Sequence, residues 1–470
     1  MSKSLPSISN LDPVTLRKGE HPLRFEDISD NALSVLKRLN DKGYDAYLVG
    51  GCIRDKFMGQ VPKDFDIATN ATPDEIKACF RNCRLIGRRF RLAHIVFGRD
   101  IIEVATFRGH HKEEHDDTAQ SKKANSESDT QITRHKRDRY DGILSKRDQQ
   151  GQLLRDNVFG TIEEDAERRD FTFNAMYFDA RDQSVIDFAH GLNAIQNKQV
   201  TMIGDPETRF REDPVRMLRA VRFAAKLDMQ IPSEMQTTIK SLAYLLANIP
   251  PARLFEEVLK LFVSGYGLAS FRLLHELGLF APLFPQLSPL LVDESCRERQ
   301  LIELVLKNTD NRINNELRVT PAFLYAALLW YPVEVRTQEL AVEAGINEHD
   351  AFNLACSEVL DRQVKRIMIP KRFSIPLREI WQLQRRLTRR FGRRAHMSLN
   401  HPRFRAAYDF LLIRSEIEGG NLVELADWWT KFQDAAPATR STMVKALSRG
   451  KSSGRRPHKT ANKSKPRAEQ

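Results

Sequence analysis

Between residues 25 and 108 the spacing of apolar positions changes repeatedly from helical to strand-like. A stripe of helical period runs through residues 31–42 and is made by Ala32, Leu33, Val35, Leu36 and Leu39. Short apolar runs predict strands at 46–49, 64–68, 94–97 and 101–106. Thr72, Pro73 and Glu75 have the spacing of a capping box with proline at the first helical position, which predicts a helix start. This alternation predicts a small mixed α/β domain.

After about Asp165 the apolar spacing becomes helical, which predicts an all-α remainder of the chain. Residues 109–155 interrupt the pattern with a polar, Ser/Asp/Lys-rich stretch and predict a mobile insertion. Its His110, His111 and His115 could bind a metal ion, but a solvated insertion explains the composition without one. The stretch 362–405 is basic with interleaved aromatic residues.

Composition and charge restrict the classes of function. The 470 residues predict several domains, and no apolar run is long enough to cross a bilayer. With no apolar core typical of a secretory signal, we expect a cytoplasmic protein without membrane insertion. Five scattered cysteines make a disulfide framework unfavourable.

The net charge of +12 favours a polyanionic partner. Nine Lys/Arg and a single acid occupy residues 441–470, so we predict a disordered basic tail that contacts RNA or RNA-processing proteins, with a merely solubilising tail as the alternative.

The candidate chemistry begins with Asp64 and Asp66. On a strand these carboxylates project from one face, and Mg²⁺ commonly takes one or two carboxylates together with phosphate oxygens. Alone, the pair is more typical of a solvated acidic face. Gly50 and Gly51 change this interpretation because backbone without Cβ atoms can approach a triphosphate, and Arg54 could pair with a phosphate.

Two further clusters follow along the chain. In EEDAERRDFTFNA, Asp170 could be a third carboxylate, as metal ligand or general base, and Arg169 could meet phosphate or ribose; an ordinary charged helix start is the alternative. Around residues 209–223, Asp213 is predicted to cap a helix that begins at Pro214. Arg216, Arg219 and Arg222 form a slanting row that could read a base edge and phosphates, or merely face solvent.

These segments together resemble the class II tRNA nucleotidyltransferase and bacterial poly(A) polymerase family. The matching pieces are LVGGCIRD, KDFDIATNATP, IIEVATFR, ERRDFTFNA and REDPVRMLRAVRFAAKL, in that order. The resemblance is closer to the poly(A) polymerases in CRLIGRRFRLAHIVFG, PPARLFEEVLKLFVSGYG and HPRFRAAYDFLLIR. Cys52 departs from the small Gly or Ala usual at its position.

The resemblance implies an α/β nucleotidyltransferase head followed by all-α neck, body and tail domains. The expected ranges are an N-terminal extension at 1–24, a head at 25–175, a neck at 176–265, an RNA-binding body at 266–436 and a basic disordered tail at 437–470. It implies that Asp64 and Asp66 hold two Mg²⁺ ions and that Asp170 is a further active-site carboxylate, with Glu103 as the alternative.

By the same resemblance, a second group of residues contacts the nucleotide: Gly50, Gly51, Arg54, Arg169, Asp213, Arg216, Arg219 and Arg222. The expected activity is addition of AMP from ATP to RNA 3′ ends. A CCA-adding tRNA nucleotidyltransferase is the nearest alternative, and a noncatalytic RNA-binding protein is a more distant one. The residues themselves do not choose ATP over CTP.

Overall fold

The structure is a computed structural model that describes residues 12–87, 91–109, 145–147, 153–156 and 158–452. The chain forms two compact units. The first comprises residues up to Ile249 together with Leu273–Pro282, and the second comprises Pro250–Arg272 and the residues from Leu283 onward. The expected division between neck and body at residue 265 does not coincide with this partition.

The strands are β1 (Val14–Leu16), β2 (Ala46–Val49), β3 (Asp66–Thr69), β4 (Cys83–Ile86), β5 (Leu92–Phe97), β6 (Asp100–Thr106), β7 (Ser145–Arg147), β8 (Leu153–Asp156), β9 (Met176–Asp179) and β10 (Ser184–Asp187).

The helices that begin in the first unit are α1 (Asp30–Asp41), α2 (Gly51–Phe57), α3 (Pro73–Cys79), α4 (Ile162–Arg168), α5 (Gly191–Gln196), α6 (Pro206–Glu212), α7 (Val215–Leu227), α8 (Ser233–Leu242) and α11 (Phe280–Leu283). Those that begin in the second unit are α9 (Pro251–Phe262), α10 (Gly267–Glu276), α12 (Arg297–Asn314), α13 (Pro321–Leu328), α14 (Trp330–Glu343), α15 (Glu348–Arg366), α16 (Lys371–Leu387), α17 (Arg393–Leu399), α18 (Phe404–Glu418), α19 (Asn421–Asp434) and α20 (Pro437–Ser452). Short 3-10 turns occur at Phe25–Asp27, Thr172–Asn174, Ala243–Asn248 and Ser288–Leu290.

Eight strands form one mixed sheet in the order β1-β10-β9-β2-β3-β6-β5-β4. The pair β3–β6 is parallel and the other neighbours are antiparallel. Successive residues of the central strands enter different clusters: Leu48 packs with α1 and α3, whereas Tyr47 and Val49 pack with Phe107 and Ala166 on the other face. Burial of both faces fixes the strand register and therefore the position of side chains at the strand ends.

The predicted helix start at Pro73 is confirmed. Thr72 accepts a hydrogen bond from the Glu75 amide, and the Glu75 carboxylate accepts one from the Thr72 amide. The predicted strand at 64–68 is shorter than expected, because β3 begins at Asp66 and Asp64 lies in the segment before it.

The expected boundaries of the head are wrong at both ends. Residues 176–187, expected to open a helical neck, contribute β9 and β10 to the sheet, and β1 from the expected N-terminal extension pairs with β10. Strands β9 and β10 have only four residues each and are buried almost throughout, so they lack the polar/apolar alternation that marks a half-exposed strand.

The expected insertion contains an antiparallel ribbon of β7 and β8, with Lys146 opposite Arg155. Most of it, including His110, His111 and His115, lies outside the described residues.

The second unit is helical, as expected. Two of its buried tryptophans satisfy their indole N–H groups on backbone carbonyls: Trp381 donates to Ala326 and Trp429 donates to Leu387. The expectation of disorder from residue 437 is wrong for α20, since Val444 is buried in the cluster around Trp429. Residues 453–470 lie outside the described part. None of the helices described is both long and apolar enough to span a membrane.

Candidate active site

Three carboxylates meet where β3 and β6 lie side by side. Asp66 is opposite Glu103 in the parallel register, while Ile67 and Val104, next along each strand, enter the core cluster. Asp66 and Glu103 therefore both project from the other face of the sheet, away from that core cluster. Asp64 precedes the strand and is solvent-exposed.

The electrostatic environment of Asp66 disfavours its negative charge. Water reaches the side chain, yet the protein around it is dense enough that burial raises the pKa of Asp66 to about 6. The negative charges of Glu103 and Asp64 contribute to this rise, and the Arg169 guanidinium opposes it. A divalent cation placed between these carboxylates would relieve the repulsion.

The glycine pair joins β2 to α2. Gly50 has φ +77° and ψ −119°, a backbone conformation that essentially only glycine adopts, which explains the residue type. A Cβ on Gly50 would lie 3.6 Å from Nη1 of Arg169, and a Cβ on Gly51 would lie 3.5 Å from Nη2 of Arg54. Two guanidinium groups thus lie beside the glycine pair and add positive charge there.

Arg54 is a buried arginine, which the sequence alone did not predict. Its Nε and Nη2 donate to Oδ1 of Asp55 at 2.9 and 2.6 Å, and its Nη1 donates to Oδ1 of Asn174 at 2.8 Å. The guanidinium also lies 5.8 Å from the ring centre of Phe173 and 5.2 Å from that of Phe223. These contacts hold Arg54 in one orientation, and its contact with a phosphate stays a prediction.

Arg169 is positioned by a buried acid and a tyrosine. Its Nη2 donates to Asp165 at 2.9 Å and its Nε donates to the Tyr177 hydroxyl at 2.8 Å, while that hydroxyl donates to Asp165 at 2.7 Å. Burial disfavours the charged form, but Tyr177 and Asp165 outweigh it and raise the pKa of Arg169. Arg169 is therefore a fixed cation that faces Asp66.

Asp170 hydrogen-bonds with other partners than the carboxylates of β3 and β6, and its expected catalytic role stays a prediction. Its Oδ1 accepts from the Phe171 amide at 2.9 Å and from Nδ2 of Asn174 at 3.1 Å, and its Oδ2 is bound by Arg219. Burial alone would raise the pKa of Asp170, but Arg219 and these hydrogen bonds lower it to about 2. Both carboxylate oxygens of Asp170 are thus engaged by donors of the protein. Of the two candidates for the third carboxylate, Glu103 lies opposite Asp66 in the parallel register, and which of them acts stays a prediction.

The helix α7 carries the predicted row of arginines, and all three are half-buried. Arg216 donates to Glu212 at 3.0 Å and to the carbonyl of Arg209 at 2.8 Å, and Arg222 lies 5.1 Å from the ring centre of Phe223. The helix begins at Val215, one residue later than predicted, and Asp213 accepts from the Val215 amide at 3.3 Å. Base reading by this helix stays a prediction.

Sequence reasoning missed two residues that tie these elements together. Asn174 hydrogen-bonds both Arg54 and Asp170 and thereby links α2 to the loop after α4. Arg209 on α6 donates to the carbonyls of Arg168 and Arg169 at 2.8 and 2.7 Å. Arg54 is 120 residues from Asn174, and the partners of Arg209 are 40 and 41 residues away, so no local pattern indicates these contacts.

The residues present fit a magnesium site completed by substrate. In the described ranges no group of three or more His, Cys, Asp and Glu side chains is arranged to hold a metal ion by itself. Asp64 and Asp66 nevertheless supply the one or two carboxylates that Mg²⁺ commonly uses when phosphates and waters provide the other ligands. Burial is the main cause of the raised pKa of Asp66, and the added repulsion from Glu103 and Asp64 is what such a donor set would produce.

Comparison with solved structures shows the fold. The Bacillus stearothermophilus CCA-adding enzyme in complex with CTP aligns with a TM-score of 0.50 at 22% identity, over 89% of this chain and 92% of that one. A CCA-adding enzyme in apo form II aligns with a TM-score of 0.55 at 18% identity, over 90% and 97% of the two chains. The chain has the nucleotidyltransferase fold of these enzymes.

Sequence comparison then places the chain within a family. Family models match the poly A polymerase head domain at residues 46–201, the probable RNA and SrmB-binding site of polymerase A at 228–291, and the polymerase A arginine-rich C-terminus at 344–467. Poly(A) polymerase I of Salmonella typhimurium is 50% identical over 95% of this chain and 91% of its own length. The Escherichia coli O6:H1 protein of the same name is 48% identical over 97% and 93%. The chain belongs to the bacterial poly(A) polymerase family.

CCA-adding relatives are more distant. The CC-adding tRNA nucleotidyltransferase of Halalkalibacterium halodurans is 31% identical over 56% of each chain.

Proposed function

We propose that this chain is a template-independent polynucleotide adenylyltransferase that adds AMP from ATP to RNA 3′ ends and releases pyrophosphate. The observation that carries the proposal is the match to proteins named poly(A) polymerase I over nearly the whole chain. The position of Asp66 opposite Glu103 on neighbouring strands also supports it. In sequence, the CC-adding tRNA nucleotidyltransferase of Halalkalibacterium halodurans matches only 56% of the chain at 31% identity, which disfavours that alternative.

In the proposed reaction the RNA 3′-hydroxyl attacks the α-phosphate of ATP. Asp64 and Asp66 would hold Mg²⁺, with Glu103 beside them, and the bound ions supply activation of the attacking hydroxyl and stabilisation of the leaving oxygen. Arg169, held by Asp165 and Tyr177, orients the triphosphate next to the glycine pair. Its fixed orientation limits the reorganisation needed when charge develops on the phosphate.

Selection of the base is assigned in this proposal to Asp213 and Arg216. A carboxylate accepts from an amino group and a guanidinium donates to ring acceptors, so the pair can read the Watson–Crick edge of adenine. Arg216 is held by Glu212, which restricts its orientation.

The deciding experiment supplies the purified chain with a generic RNA and each nucleoside triphosphate in turn. Long tails made only with ATP support the proposal, whereas C, C, A addition restricted to tRNA would replace it with the CCA-adding alternative. Asp64→Ala should abolish incorporation while the protein stays folded and still binds RNA. Near-wild-type incorporation by this variant would refute the site, and absence of Mg²⁺-dependent turnover with any triphosphate would favour a noncatalytic RNA-binding protein.

A further inference from the structure

The second unit contains a cavity of about 750 Å³ that the proposed reaction does not use. It is lined by residues of α12, α13, α16 and α18 and by the segment that precedes α13. Its floor is apolar and buried, and includes Val305, Leu324, Ile380 and Ile413. Its volume is within the range typical of ligand-binding sites.

Five exposed arginines surround this apolar floor, and we refer to them as the arginine rim: Arg312, Arg318, Arg372, Arg403 and Arg405. Only two acids, Asp409 and Glu416, line the same cavity. The rim therefore carries an excess of positive charge around an opening whose interior is apolar.

Part of the rim is already neutralised, and part is not. Arg403 pairs with Glu379 at 3.1 Å and Arg405 pairs with Asp409 at 2.9 Å. Within the residues that the structure describes, Arg318 and Arg372 have no carboxylate at ion-pair distance, and Arg312 donates only to the backbone carbonyl of Arg318. These three guanidinium groups are available to an anionic ligand.

Two half-buried aromatic rings, Phe323 and Phe373, line the cavity beside the rim. Arg372 lies 4.9 Å from the ring centre of Phe373, so cation and ring form one continuous surface. Proteins that bind single-stranded nucleic acid combine these two elements, with arginines along the backbone and aromatic rings against the bases.

We propose that this cavity binds a segment of single-stranded RNA, with phosphates on the arginine rim and at least one base against Phe373 and the apolar floor. An acidic peptide would use the rim but not the rings, and a free nucleotide would occupy the cavity without the neighbouring phosphates. The site is separate from the carboxylates of β3 and β6, so it would hold RNA whether or not AMP is transferred.

The test compares the double variant Arg318→Gln/Arg372→Gln with the matched control Lys365→Gln/Lys431→Gln. The control removes the same charge from exposed positions of the same unit that do not line the cavity. For oligo(A) of about twenty nucleotides, we expect the cavity variant to raise Kd about tenfold. The slope of log K against log salt should become shallower by about 1.4, because two phosphates of the RNA are no longer neutralised by arginine. Equal changes in both variants would overturn the proposal.

Steady-state kinetics separate this site from the catalytic one. The cavity variant should raise KM for RNA and leave kcat and KM for ATP unchanged. A changed KM for ATP, or ATP binding that is abolished in the variant, would show that the cavity takes a mononucleotide and would overturn the proposal.

Phe373→Leu tests the role of the ring. We expect about tenfold weaker binding of oligo(A) and unchanged binding of polyglutamate. If both polyanions respond alike, the cavity recognises charge only and the proposal fails. The arginine variants are at exposed positions, so they keep the test valid even if Phe373→Leu unfolds the protein.

Discussion

Asp66 at the start of β3 and Asp170 after α4 belong to the same compact unit, yet the pKa values of their carboxyl groups are shifted in opposite directions. The pKa of Asp66 rises to about 6 because burial and the charges of Glu103 and Asp64 outweigh Arg169. The pKa of Asp170 falls to about 2 because Arg219 and two N–H donors outweigh a greater burial. The environment of Asp66 therefore favours binding of a cation, whereas Asp170 is already paired with Arg219.

The difference between these two regions distinguishes a ligand-binding acid from a structural one. Carboxylates that repel one another in a folded protein are suited to bind a metal ion or to exchange a proton. Carboxylates whose oxygens are all hydrogen-bonded instead position other groups. By this criterion the β3–β6 face is the predicted reactive region, and the network of Asp170, Asn174 and Arg54 links the segments around it.

The largest expected effect separates the two regions directly. Asp66→Asn should lower kcat for AMP incorporation by about 1,000-fold or more, since it removes a metal ligand worth several kcal/mol in the transition state. Its free energy of unfolding should be unchanged or higher by up to about 1 kcal/mol, because repulsion is removed at a site that water partly screens. Incorporation assays and urea denaturation measure both. A folded, active Asp66→Asn protein would contradict the assignment.

Arg219→Met should lower the free energy of unfolding by about 3 kcal/mol near neutral pH, because it leaves the buried Asp170 without its cation. In the wild type the lowered pKa makes the pair fully stabilising above about pH 4, and this contribution is lost as the pH falls towards 2. In the variant, burial raises the pKa of Asp170 above its ordinary value, so the deficit should shrink as the pH falls towards the ordinary pKa of an aspartate. The double variant with Asp170→Asn should recover part of the loss, and a deficit independent of pH would contradict the pairing.

Asn174→Ala should lower the free energy of unfolding by about 2 kcal/mol, since it leaves hydrogen-bonding groups of Arg54 and Asp170 unpaired in a buried place. Activity should also fall, because the glycine pair loses the support of an oriented Arg54. Thermal unfolding and the KM for ATP report the two effects. Asn82→Ala, at a position away from both acidic regions, is a control that should leave the KM for ATP unchanged.

Tyr177→Phe is expected to have the smallest effect, about 1 kcal/mol of stability, because only a hydroxyl between Asp165 and Arg169 is removed. Arg169 keeps its direct bond to Asp165, so kcat should fall by less than about tenfold. A loss as large as that of Asp66→Asn would mean that the hydroxyl has a direct role in the chemistry.

Much of the local structure could be predicted from the sequence. The stripe that buries Ala32, Val35 and Leu36 follows from apolar period alone, and the capping box at Thr72 follows from three residues of local spacing. Strands β9 and β10 could not be predicted in this way, because burial on both faces removed the alternation that would have marked them.

The order of motifs along the chain was enough to indicate the family, which the match to the poly A polymerase head domain confirms. Glycine occurs at position 50 because other residues do not favour the backbone conformation found there. Only the tertiary structure shows how the surroundings of Glu103 and Asp170 differ. Glu103 comes beside Asp66 through the parallel pairing of β3 and β6, and Asp170 meets Arg219 across 49 residues of sequence. A carboxylate's charge state depends on the groups that folding places around it, and those neighbours are set by strand register and helix packing rather than by local sequence.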